Sequence, residues 1–241
     1  MSASEGFVKL DFSNAFNCVS RDAVIHPVAE LVPPLTPYVI CSYSQPAILQ
    51  FGSWTLNSCD GVQQKDPLGL MLFAHAIKHI SHSCTSPLRI WYLDDCFLAG
   101  KVFQVGKDVK QIIQLGNLVG LHLNVWKCEI VSSDKNFRNE LLSILTGAKT
   151  VNINDVTLLR AGLSIHASTS LLRNLLHKMC QTSTKLSECE PHDAYYIVLR
   201  AKGSPKLTYL LRTSLCFSDN EVLNETDKQL SNALSTLFSI D

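Results

Sequence analysis

The chain has 241 residues, 46% of them apolar and 17% charged, which excludes a disordered polymer and leaves ample material for a buried core. Lys plus Arg and Asp plus Glu number 21 each, with 13 of each sign in 1–165 and eight of each in 166–241. No basic arm announces a polyanion partner. Apolar runs are too short for a bilayer, and Met1 to Gly6 lacks a charged-then-apolar leader, so the expectation is an intracellular protein, cytoplasmic or nuclear, with no membrane partner. Nine cysteines stand singly without C-x-x-C spacing, which predicts reduced thiols, most of them in or near the core.

In chain order, Phe7 to Phe12 alternates as a strand that ends in Asp11 before the turn-prone Ser13-Asn14. Ser20 is a candidate helix cap, but Pro27 inside that helix would cost about 3 kcal/mol, so a later start with Pro27 in the first turn is the alternative. Val39-Ile40-Cys41 and Ala47-Ile48-Leu49 read as a hairpin, and Trp54-Thr55-Leu56 as a further strand of the sheet. From Gly61 to Gly69 a loop feeds a helix, with Asp66 as N-cap and Pro67 as first helical residue; Leu68, Met71, Leu72, Ala76 and Ile77 form its inner face to about Ser81.

Ile90 to Ala99 places two adjacent carboxylates, Asp94 and Asp95, between short apolar runs, as at the tip of a buried hairpin. Paired charges beside a core call for solvent, a basic partner or a divalent cation, because an unpaired buried carboxylate costs several kcal/mol or shifts its pKa. An Asp-rich turn alone is commonplace. A helix follows through Val109, Ile112, Ile113, Leu115, Leu118 and Val119, with Gly120 at its end; Leu121 to Val125 then alternates as a strand, and another lies around Ile130. The order predicts an α+β fold with a mainly antiparallel sheet packed on helices. Beyond Leu163 helical spacing takes over at Leu171 to Met179, Ala194 to Leu199, Leu207 to Leu211 and Val222 to Leu237, with Ser187 to Pro191 as a connector. The predicted domains are therefore 1–165, sheet-containing, and 166–241, helical.

Three segments share one chemistry. Leu10-Asp11-Phe12-Ser13-Asn14-Ala15-Phe16-Asn17 resembles motif A of the reverse transcriptases of non-LTR retrotransposons, Gln64 to Gly69 resembles motif B, and Tyr92-Leu93-Asp94-Asp95 resembles motif C. Gly120 to Glu129 is similar to motif D, and Pro205 to Thr213 resembles the helical region after the palm.

The resemblance implies an RNA-directed DNA polymerase palm over about 5–165, with a thumb-like segment after it, acting on an RNA template, a DNA primer and a deoxynucleotide with Mg²⁺ or Mn²⁺. It implies Asp11, Asp94 and Asp95 as catalytic carboxylates and metal ligands, the Phe12 carbonyl as a further metal ligand, Phe16 against the sugar, Gln64 at the incoming nucleotide, and Lys127 at its phosphates. Lys65 departs from the pattern, where the family has Gly. Asp11 also stands ten residues from Met1, so the basic fingers region ahead of motif A is expected to be lacking. These departures predict an impaired enzyme as an isolated chain, or alternatively a catalytically inactive palm that binds nucleic acid or a protein partner.

Overall fold

The computed structural model describes residues 5–186, 188–197 and 204–238. It divides into two compact units, Met1–Val151 and Asn152–Asp241.

The first unit begins with β1 (Glu5–Asp11), the short α1 (Ala15–Cys18), α2 (Arg21–Leu31) and α3 (Thr36–Tyr43). A ribbon of β2 (Ala47–Phe51) and β3 (Trp54–Ser58) follows, then α4 (Gly69–Ser83), β4 (Leu88–Tyr92), β5 (Asp95–Lys101) and α5 (Val102–Leu118). It closes with β6 (Glu129–Val131), α6 (Lys135–Ile144) and β7 (Lys149–Thr150). Five strands form one sheet in the order β4-β5-β1-β6-β7, antiparallel except for the β6–β7 pair. This is the expected α+β arrangement.

Period-two burial sets the faces of β1. Val8 and Leu10 are fully buried, and with Phe12 they join a core that includes Leu72, Phe73 and Ile80 of α4 and Val105, Val109 and Ile112 of α5. Lys9 and Asp11 point to the other face, where Lys9 pairs with Glu129 at 3.8 Å.

Of the two starts left open for α2 the earlier holds, and the helix runs through Pro27 from Arg21, with Val24 N–H bonded to the Ser20 carbonyl; three other local expectations are corrected. Full burial of Val24 and Val28, worth about 1.5–3 kcal/mol each, outweighs the roughly 3 kcal/mol penalty of an interior proline. Val39 to Cys41 lies in α3, because Pro37 sits in the first helical turn and Val39 and Tyr43, four residues apart, bury one face. The true hairpin is β2–β3, a separate ribbon outside the main sheet whose Leu49, Phe51, Trp54 and Leu56 all remain exposed. Leu121 to Val125 forms no strand. It makes a single bridge, Phe12 to Leu123, before a 3₁₀ turn over Val125–Lys127.

The second unit holds the two-stranded β8 (Thr157–Leu158) and β9 (Ala161–Gly162), then α7 (Ile165–Leu186), α8 (Pro191–Ile197), α9 (Ser204–Thr213) and α10 (Asn220–Phe238). The boundary falls at 151/152 rather than 165/166, because β8 and β9 pair with each other and not with the main sheet. Leu172, Leu207, Cys216 and Val222 form a core, so the helical reading of the leucine spacing holds. Ser187, Leu199 and the side chains of Pro205, Leu234 and Leu237 lie outside the described residues. Among the described residues no helix is long and apolar enough to cross a membrane.

Candidate functional site

The register of three strands assembles the carboxylates. β1 pairs with β5 so that Asp11 faces Asp95, and β4 pairs with β5 so that Tyr92 faces Asp95. Directly opposed residues of an antiparallel pair have Cβ atoms about 4.5–5.5 Å apart, so Asp11 and Asp95 share one face within reach of one ion. Leu93 and Asp94 form the two-residue loop of the β4–β5 hairpin, with Leu93 at φ 56°, the positive φ that such tight loops require. Beyond the last paired rung, Phe12 is level with Asp94. The Phe12–Leu123 bridge is made by Ser13 N–H to the His122 carbonyl and Asn124 N–H to the Asp11 carbonyl. In that pattern the carbonyl of Phe12 itself points the other way, toward the Asp94-Asp95 side.

The same curl of chain brings a cation. Gly120, at φ 79°, ends α5 where a Cβ would meet the Cys18 carbonyl oxygen at 2.4 Å, so only glycine fits this turn. Four residues past Leu123, the bridge partner of Phe12, Lys127 Nζ stands 3.7 Å from Asp11 Oδ1. That distance makes an ion pair and not a hydrogen bond, and Asp11 Oδ1, buried as an atom, has no hydrogen-bond donor.

The residues after Asp11 and before α4 are stitched together. Val62 N–H donates to the Phe16 carbonyl at 2.7 Å and Gly61 N–H to Val19 at 2.8 Å. Phe16 stacks on Phe73 of α4, ring centroids 4.4 Å apart, and is partly buried. Gln64 is exposed in the turn before α4, and Lys65 beside it adopts φ 72°. α4 begins at Gly69 and not at Pro67: Asp66 instead caps the preceding turn, its Oδ1 accepting Leu68 N–H at 2.8 Å. Its Oδ2 accepts the Tyr43 hydroxyl, which in turn accepts Gln63 N–H at 3.3 Å. Burial first, and the bond to Asp66 second, push the Tyr43 phenol well above its usual pKa, so it stays a donor.

Two supports gave no sequence signal. Arg21, buried, donates to the carbonyls of Gln45 (2.9 Å) and Gly61 (3.4 Å) and to Ser58 Oγ (3.2 Å), tying α2 to the ribbon and to the loop that leads to Gln64. Asp108 of α5, fully buried, accepts from the backbone N–H and hydroxyl of both Thr85 and Ser86. Those bonds fix the entry into β4 and hence the hairpin that carries Asp94.

Facing carboxylates and an undonated carboxylate oxygen are hard ligands of the kind Mg²⁺ or Mn²⁺ takes, so the residues fit the ion in kind. Among the described residues no three His, Cys, Asp or Glu side chains are grouped tightly enough to hold an ion alone.

No known family's sequence model matches the chain, and no curated protein matches it. Among solved structures it is similar to telomerase from Candida albicans in complex with a TWJ fragment of telomeric RNA, at 11% identity and a TM-score of 0.49. The likeness covers 98% of this chain and 46% of the telomerase chain, so this chain spans about half the length of that one.

Proposed function

We propose that the chain carries the palm of an RNA-directed DNA polymerase of the non-LTR retrotransposon kind and performs nucleotidyl transfer to a primer 3′-hydroxyl. The observation that carries this reading is the facing of Asp11 and Asp95 at the hairpin tip, with Asp94 in the loop and Lys127 alongside. Asp11, Asp94, Asp95 and the Phe12 carbonyl would hold two divalent cations, which when bound stabilise the attacking and leaving oxygens. The primer oxygen bonds to the α-phosphorus as the bond to pyrophosphate breaks. Lys127 supplies positive charge, or a proton, at the leaving phosphates. Phe16, held by its stack on Phe73, supports exclusion of a 2′-hydroxyl, and Gln64 lies in the exposed turn that would meet the nucleotide.

A second reading, a palm that binds nucleic acid or protein without catalysis, is favoured by Lys65, a long cation in a left-handed backbone position beside Gln64. Primer extension on an RNA template with Mn²⁺ at low salt separates the two. Extension by the natural chain that is abolished in Asp94→Asn supports the polymerase. Equal Mn²⁺ affinity of the natural chain and Asp94→Asn, without extension by either, overturns it.

A further inference from the structure

The second unit contains a cavity of about 240 Å³ lined by Leu175, Lys178, Met179, Gln181, Thr182, Lys185 and Lys206. All three charged groups in its wall are cations. Lys178 and Lys185 are seven residues apart on α7, so they share one helix face about 10 Å apart along the axis. Lys206 of α9 contributes the third. Among the described residues the salt bridges involve Lys9, Lys127 and His166, and none of these three lysines has a carboxylate within 4.0 Å. The chain as a whole is electrically neutral, so this is a local segregation of charge and not a general basic surface.

Three ammonium groups around one hollow repel one another unless an anion lies between them, and an apolar floor of Leu175 and Met179 strengthens their pull on an anion by excluding water from one side. Lysine binds phosphate as a compact point charge, so three ammonium groups around one hollow match a phosphate ester by charge.

We infer that Lys178, Lys185 and Lys206 form a binding site for a phosphate ester, supplied either by a free nucleotide or by a nucleic-acid strand. The site is separate from the carboxylates and does not depend on the polymerase reading.

The test is calorimetric titration of the full chain at low salt in the presence of a chelator, which silences metal-dependent binding at Asp11. Inorganic pyrophosphate, adenosine monophosphate and a ten-residue oligothymidylate are the probes. Expected is binding of pyrophosphate and at least one ester, weakened at least about tenfold in Lys178→Gln/Lys185→Gln and preserved in the charge-keeping Lys178→Arg/Lys185→Arg. Preference for the monophosphate identifies a free nucleotide as source; preference for the oligonucleotide identifies a strand. If the double variant loses its helical circular dichroism, Lys206→Gln on the other helix decides. No binding of any probe by the natural chain, or an affinity in both Lys206→Gln and the glutamine double variant equal to that of the natural chain, overturns the proposal.

Discussion

Asp11 and Asp95 face each other directly across the β1–β5 pair, two like charges on the same face of one sheet. Opposed like charges weaken an antiparallel pair, so this rung is built at some expense to the fold and is relieved by any cation placed between its members. A ligand that binds only the folded state raises its stability by mass action. Millimolar Mn²⁺ is therefore expected to raise the melting temperature of the natural chain by a few degrees, and by much less in Asp11→Asn. An identical shift in both would remove Asp11 from the cation's ligands.

Lys65 tests the backbone. At φ 72° a residue with a Cβ pays about 1–2 kcal/mol, whereas glycine adopts the same angle freely and gives back part of that gain through a more flexible unfolded chain. Lys65→Gly should stabilise the protein by about 0.5–1 kcal/mol in urea unfolding. A loss of stability would mean that the lysine side chain itself holds the turn.

Tyr43 links α3 to the same turn through Asp66 and Gln63. Removing its hydroxyl leaves Asp66 Oδ2 without this donor and Gln63 N–H without this acceptor. Tyr43→Phe is expected to cost about 1–3 kcal/mol, readable as a lower urea midpoint at unchanged slope. Amide exchange should quicken at Gln63 and Gln64 while the β1–β5 amides keep their protection; uniform quickening would argue against a local latch.

The buried thiols give a pH window. Burial first, and the nearby Asp108 carboxylate second, push Cys84 up to about 11 from 9.0, and burial likewise raises Cys96 and Cys128. A thiol whose pKa is raised by folding leaves stability intact below its unfolded pKa. As pH climbs from about 9 toward 11 the unfolded state releases its proton first, so stability falls. Melting temperature should be flat from pH 7 to 8.5 and then decline, with a shallower decline in Cys84→Ala. Iodoacetamide at pH 8 should modify the exposed Cys41, Cys59 and Cys189 and spare these three.

What the sequence made legible follows from the range of the forces involved. The carboxylate hairpin, β1 and the α4 and α5 core faces are written in local periodicity, whereas the register that sets Asp11 opposite Asp95, with Asp94 in the loop beyond, follows from strand pairing and from no local pattern. The choice between the two starts of α2 and the helix at Val39 to Cys41 were not readable, since both depend on burial of Val24, Val28, Val39 and Tyr43 against distant residues. Arg21 and Asp108 escaped for a similar reason: their partners lie 22 to 40 residues away and are mostly backbone groups, which no side-chain pattern marks. Leu121 to Val125 alternates as a strand would, yet the left-handed turn at Gly120 aims it across the end of β1, leaving room for one bridge.

That misread segment yields the sharpest test, because it delivers Lys127 to Asp11. The Lys127 side chain is 66% exposed and that of Asp11 24%, so their 3.7 Å pair is solvent-screened and contributes little stability, at most about 1 kcal/mol. Its electrostatic effect on a second cation is larger in consequence: in the absence of nucleotide, Lys127 and a divalent ion compete for Asp11 Oδ1, which has no hydrogen bond to lose. Lys127→Ala should therefore bind Mn²⁺ several-fold more tightly than the natural chain by calorimetry, with the melting temperature in chelator nearly unchanged. With a triphosphate present the sign should reverse, since the ammonium then has phosphate oxygens to neutralise and its loss weakens the ternary complex. Weaker Mn²⁺ binding by Lys127→Ala without nucleotide would show that the lysine organises Asp11 for the ion instead of competing with it.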